Sequence, residues 1–147
     1  MTTNRSQTVR TAARRGSDSY ANIVEENSLL GSTTFRWQHK IYWDWRIDNK
    51  GGRIYNTRNK HSPKHTTYFM SYDGKVDEWE KIDRVGKTGP QDNIFQERYI
   101  SYIQGHMEHF APVIGVSAYD GYPYSKLLGR DGGSDTDSWT IDSGIET

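Results

Sequence analysis

The chain contains no cysteine, and this one absence removes disulfide frameworks, thiolate metal sites, redox motifs and cysteine nucleophiles together. Long apolar runs are missing as well. None approaches the ~20 residues that cross a bilayer as a helix, and no apolar core follows the N-terminal arginines, so the sequence predicts neither a membrane span nor a secretory signal. Ordinary core material is also scarce: over 147 residues the apolar share is 33% and the mean hydropathy is −0.94. No P-loop, dinucleotide fingerprint, Gly-x-Ser-x-Gly or paired-carboxylate arrangement is present, so the sequence predicts no cofactor and gives no motif for an enzyme.

Aromatics fill part of the gap. Ten Tyr, five Trp and four Phe make up 13% of the chain, side chains that combine a large buried area with a polar handle and serve cores and interfaces alike. The length suits one domain. Charge sums to zero but is arranged in blocks: the first sixteen residues hold four arginines and no acid, residues 36–65 hold eight bases and two acids, and residues 117–147 carry six acids against two bases. Such blocks can satisfy one another within a molecule or between copies.

The sharpest pattern begins at Thr33. Odd positions read Phe35, Trp37, His39, Ile41, Trp43, Trp45 and Ile47; even positions read Arg36, Gln38, Lys40, Tyr42, Asp44, Arg46 and Asp48. Strict alternation of this kind predicts a strand with one buried and one wet face, on the order of 40 Å long. Asp48 to Gly52 has hairpin composition and predicts a return strand over 53–57. A basic loop over 58–64, a third strand over 65–72, a second hairpin at Asp73-Gly74 and a strand over 75–82 would continue the meander. A short helix is predicted over 20–30. Phe95, Tyr99, Tyr102, Ile103, His106 and Phe110, spaced three and four apart, predict an amphipathic helix capped by Asp92 and ended by Pro112. Residues 113–119 read as a final strand.

The expected fold is therefore α+β: an antiparallel β-meander of about four to five strands with one long amphipathic helix packed on one face and extended N- and C-terminal arms. The boundaries are a polar basic N-terminal arm over 1–19, a single α+β domain over 20–128, and an acidic Gly/Ser/Asp-rich tail over 129–147.

Three constellations could carry chemistry. His61 and His65 lie in a basic stretch, and His65-Thr66-Thr67 resembles half of the motif of phosphoesterases that use two such histidines, which would relay protons at a phosphodiester. Only one copy is present, so the simpler reading is a solvated loop. His106 and His109 could share a metal on one helix face, but the sequence offers no third ligand, and histidines at a helix end also serve its dipole, so no metal is expected. Lys40, Arg46, Arg53, Arg58, Lys60 and Lys64, with exposed Tyr42, combine phosphate-neutralising charge with a stacking surface, as single-strand nucleic-acid binders do. The tryptophans, however, fall on the opposite face.

A helix of about eighteen residues covers ~27 Å of a ~40 Å strand. The leading expectation is accordingly a non-catalytic structural subunit of a larger assembly, such as a virus or phage particle. It would contact other protein subunits, copies of itself among them, through Phe35, Trp37, Trp43, Trp45, Tyr68, Tyr122 and Tyr124. The alternative is a small nucleic-acid-binding or phosphodiester-cleaving protein using the basic 36–65 region.

Overall fold

The computed structural model describes residues 14–27, 33–67, 70–85, 95–109, 120–130 and 138–147. Among them almost every residue is in a β-strand. The strands are β1 (Arg14–Asn27), β2 (Thr33–Asp48), β3 (Gly51–Thr66), β4 (Met70–Val85), β5 (Phe95–His109), β6 (Tyr122–Arg130) and β7 (Ser138–Glu146). They form one seven-stranded sheet in the order β1-β2-β3-β5-β6-β7, with β4 paired to the free side of β5. Every pairing is antiparallel except the short parallel contact of Gly51 and Gly52 with Phe95 and Gln96. At that corner the sheet curls into a half-barrel, folding β2 over β5 and β6.

The expected β2 strand is borne out in full: Phe35, Trp37, His39, Ile41, Trp43 and Trp45 are buried and their even-numbered neighbours are not. Inside the curl the rings fall into two apolar clusters. One joins Val24, Phe35, Trp37, Met70, Ile103 and Met107; the other joins Ile41, Trp43, Trp45, Ile54, Tyr99 and Leu127. Between them lies a polar layer. Ser125 C=O can only accept, so His39 Nδ1–H donates to it at 3.1 Å, which leaves Nε2 to accept from the Ser101 hydroxyl at 3.0 Å. Asn59 donates to Ser101 Oγ and Asn22 to Ser125 Oγ, closing the network from β3 and β1. Burial pulls the His39 pKa down to about 4, so the imidazole is neutral at pH 7.

No helix is present among the described residues, and the α+β expectation is corrected to a nearly all-β fold. The segment predicted to be the long helix is β5. Its inner positions are Tyr99, Ser101, Ile103, Gly105 and Met107, all buried. Ser101 and Gly105 are small because β2 fills the space opposite: a Cβ on Gly105 would come within 3.0 Å of Trp37 Nε1. Small inward residues erase the period-two apolar signal and leave a false three-four spacing. Of the helix expected over 20–30, residues 28–30 lie outside the described residues and residues 20–27 are part of β1, for a related reason. Its inward positions include Asp18, which accepts from Trp45 Nε1 at 2.7 Å, and Asn22, so its alternation is not one of hydrophobicity.

The basic stretch 58–64 is not a loop but the middle of β3, paired along β2. Asp73-Gly74 is not a hairpin but an irregularity within β4, with Gly74 at φ +98°. Residues 14–19 of the expected N-terminal arm begin β1, and Ser138–Glu146 of the expected tail form β7 on the edge of β6. Asp92, Phe110, Pro112 and the strand expected over 113–119 lie outside the described residues. Among the described residues no helix is long and apolar enough to cross a membrane.

Candidate nucleic-acid interface

With the odd side chains of β2 turned inward, its even side chains join those of β1 and β3 on the outer surface. The register sets them in rows. Ala21, Lys40 and Lys60 form one row; Ser19, Tyr42 and Arg58 the next; Ser17, Asp44 and Tyr55 the third; Arg15, Arg46 and Arg53 the fourth. Successive rows are about 7 Å apart, two residues of antiparallel strand, so the face extends over roughly 20 Å.

Two features of these rows are electrostatically unusual. Lys40 stands directly opposite Lys60, and Arg46 is flanked by Arg15 on one side and Arg53 on the other. Like charges facing across an antiparallel pair are destabilising. Among the described residues none of Lys40, Arg46, Arg53, Arg58 and Lys60 makes an ion pair, whereas Arg36 is neutralised by Glu25 at 2.8 Å. The second feature is the environment of Tyr42. Lys40, Arg58 and Lys60 lie over its ring at 5.0, 4.8 and 5.5 Å from the centroid. Tyr55, 40% exposed, gives the face a second ring.

A cleft of about 850 Å3 opens on this surface between Tyr42, Asp44, Arg58 and the β1 serines Ser17 and Ser19. It forms where the β2–β3 register slips: Tyr42 pairs with Arg58 but Asp44 pairs with Tyr55, which leaves Asn56 and Thr57 unmatched. Asn56 has φ +51°, the only positive φ among the described non-glycine residues. Its Nδ2 donates to Asp44 Oδ2 at 2.9 Å, and Ser17 Oγ donates to Asp44 Oδ1 at 2.6 Å. These hydrogen bonds, with Arg58 nearby, hold the Asp44 carboxyl below the usual carboxylate range.

Of the residues expected from sequence for nucleic acid, Lys40, Arg46, Arg53, Arg58 and Lys60 share this face; Lys64 is exposed at a second irregularity, between the Pro63 and His65 pairings. The two candidate histidines are not brought together. His61 pairs with His39 on the inner side and bonds Tyr72 OH at 2.6 Å, its pKa lowered by burial and then by Lys75. The same irregularity turns His65 outward, opposite Arg36. The two imidazoles therefore face opposite sides of the sheet. His106 bridges Asp73 and Asp120 at 3.1 and 3.0 Å, and His109 donates its backbone N–H to Asp120. Among the described residues no His, Asp and Glu group has the geometry of a metal site.

The expected interface residues scatter. Phe35, Trp37, Trp43 and Trp45 lie in the chain's own core, between 0% and 9% exposed. Tyr68 lies outside the described residues. Tyr122 stacks on His106 at 4.8 Å, and Tyr124 lies 6.4 Å from Tyr102 in a ladder that continues to Trp79. Sequence reasoning missed Arg15, Tyr55 and Asn56 as members of the basic face, and set Asp44 on the wet side of β2 without giving it a role. Arg15 was legible only if β1 was read as a strand, and Tyr55 only if β3 was kept in register past the turn. No protein-family model, curated protein or solved structure matches the chain.

Proposed function

We propose that the protein binds single-stranded nucleic acid along the outer face of β1, β2 and β3. Tyr42 and Tyr55 stack bases, and Arg15, Lys40, Arg46, Arg53, Arg58 and Lys60 neutralise phosphates. The observation that carries this reading is Tyr42 under three cations in a surface of like-charged rows. A polyanion supplies the missing counter-charge, and a ring among bases on one face is the arrangement single-strand binders use. A bare strand is favoured over a duplex because the stacking rings lie on a sheet surface rather than on an element that enters a groove.

Fluorescence anisotropy with labelled 12-nucleotide DNA and RNA tests it. Binding should weaken with salt, with a log–log slope of about −4 if the six cations each meet a phosphate of a single strand. The triple variant Lys40→Glu, Arg58→Glu, Lys60→Glu should lose at least about 100-fold in affinity. Indifference of the wild type to every oligonucleotide overturns the reading.

The assembly-subunit reading loses its original motive, because the tryptophan face is covered by the chain's own β5 and β6. One observation still favours it. Trp79, Ile82, Trp139 and Ile141, on β4 and β7, are 38% to 44% exposed. A second protein chain would cover them, and sedimentation over micromolar concentrations would then give a mass above that of the 17.0 kDa monomer.

A further inference from the structure

The polyanion reading leaves one residue out of place. Asp44 is a carboxylate in the centre of the basic face, where it repels the very phosphates that Lys40, Arg46 and Arg58 attract. Its two hydrogen bonds, to Ser17 on β1 and Asn56 on β3, fix the plane of the carboxylate from both sides. Each oxygen has one donor and keeps acceptor capacity free, and Asp44 is among the residues that line the cleft. The cleft exists because the ladder is broken at this point, with Asn56 in the left-handed region, a conformation that disfavours a side chain and accompanies functional sites.

Resting on the proposed function, we infer that this cleft is a nucleobase pocket that selects guanine, with Asp44 as the reader. A fixed carboxylate with one acceptor position open on each oxygen matches two adjacent N–H donors. Among the four common bases guanine alone offers them, N1–H beside the N2 amine. On the same edge adenine and cytosine each set a ring-nitrogen acceptor beside the amine, and uracil or thymine flanks its one N–H with carbonyls. The pocket supplies the other elements a base needs. Tyr42 offers a ring to stack on, and Arg58 is a donor suited to guanine O6 and N7, the pairing arginine makes most often with a base. Lys40 and Lys60 now lie over that ring. A base entering the pocket displaces them, and their long stems carry the ammonium groups to the flanking phosphates.

The test uses the full chain and four labelled RNA 12-mers, all uridine except for G, A, C or U at one central position. Anisotropy should give the G oligomer about ten-fold tighter binding than the other three. Asp44→Asn, which exchanges one acceptor for a donor and removes a negative charge from the basic face, should abolish that preference while raising affinity for the all-uridine oligomer, since the repulsion of phosphates is relieved. Equal, salt-dependent binding of all four oligomers overturns guanine selection and leaves the nucleic-acid reading standing. Binding of none overturns both. Loss of affinity for all four together by Asp44→Asn, with a lowered melting temperature, makes Asp44 a brace between strands and overturns its role as reader. If that variant does not fold, the wild-type comparison of the four oligomers decides alone.

Discussion

The two faces of β2 are made by one strand and obey opposite rules. On the odd face nearly every demand is met inside the molecule, the buried Trp37 Nε1–H being the one side-chain donor of that face without a partner among the described residues. The tryptophan rings are seated against small residues of other strands, a Cβ on Gly129 falling within 2.8 Å of Trp43, and the one buried imidazole has a partner at each nitrogen. On the even face demands are left open: lysine faces lysine, arginine faces arginine, and a ring sits under three cations. A folded chain tolerates such a surface at modest cost because water screens it. Closed demands mark what holds the fold, and open ones mark where a ligand is to contribute.

The largest expected effect comes from breaking the closed face. Trp43→Ala removes the ring seated on Gly129 and the Nε1–H bond to Arg130 C=O at 2.8 Å. It should cost about 3–5 kcal/mol of stability in urea unfolding, since β2 cannot collapse into the space against strands held by their own ladders. The even-face change Tyr42→Ala should leave the unfolding midpoint nearly unchanged and weaken oligonucleotide binding instead, by about 1–3 kcal/mol. If the two variants exchanged their effects, the division between the faces would fail.

The next effect lies in the polar layer between the apolar clusters. His39 has its pKa depressed from 6.5 to about 4 by burial, only partly offset by its bond to Ser125. The unfolded chain therefore binds a proton between these values that the folded chain refuses, so stability is full above pH 6.5 and falls as pH drops towards 4. The loss from this one group approaches roughly 3 kcal/mol at the acid end. His39→Gln should start from lower stability at pH 7 and flatten this dependence. Chemical unfolding at pH 7, 6, 5 and 4 checks it, and an unaltered slope in the variant would locate the acid sensitivity elsewhere.

The contrast between the faces also explains what could be read in advance. β2 was legible because it holds the large member of each packed pair: Phe35, Trp37, Trp43 and Trp45 announce period two. Its partners were illegible because they hold the small or polar member. Ser101 and Gly105 in β5 yield to His39 and Trp37, Asp18 in β1 answers an indole N–H, and Gly129 in β6 makes room for Trp43. Hydrophobic periodicity thus identified one side of the core and mistook the other for helix and tail. The basic cluster was legible as composition, with Lys40, Tyr42 and Arg46 correctly assigned to the wet side of β2 but Arg58 and Lys60 read as a loop. Its order was not. The row Arg15, Arg46, Arg53 draws on three strands, and the slip that creates the Asp44 cleft depends on pairing that no local pattern encodes.

The smallest expected effect is the most discriminating, because the two readouts move in opposite directions. Arg46 is the central member of the arginine row, and among the described residues it has no ion pair and no aromatic ring beneath it. Asp48 offsets part of the repulsion; its carboxyl is held below the usual range by the Lys50 N–H and by the charges of Arg53 and Arg46. Arg46→Gln keeps most of the side-chain stem, removes two like-charge contacts and forfeits one weak attraction to Asp48. In the absence of nucleic acid it should raise stability by about 0.2–0.5 kcal/mol at low salt, roughly a degree in melting temperature for a chain of this size. The gain should vanish in 1 M salt, where the screening length falls to about 3 Å. Oligonucleotide affinity should move the other way, with the salt slope shallower by about 0.7, one phosphate contact of a single strand. A variant that is both less stable and unchanged in binding would mean that Arg46 serves the fold, and the even face would then be closed after all.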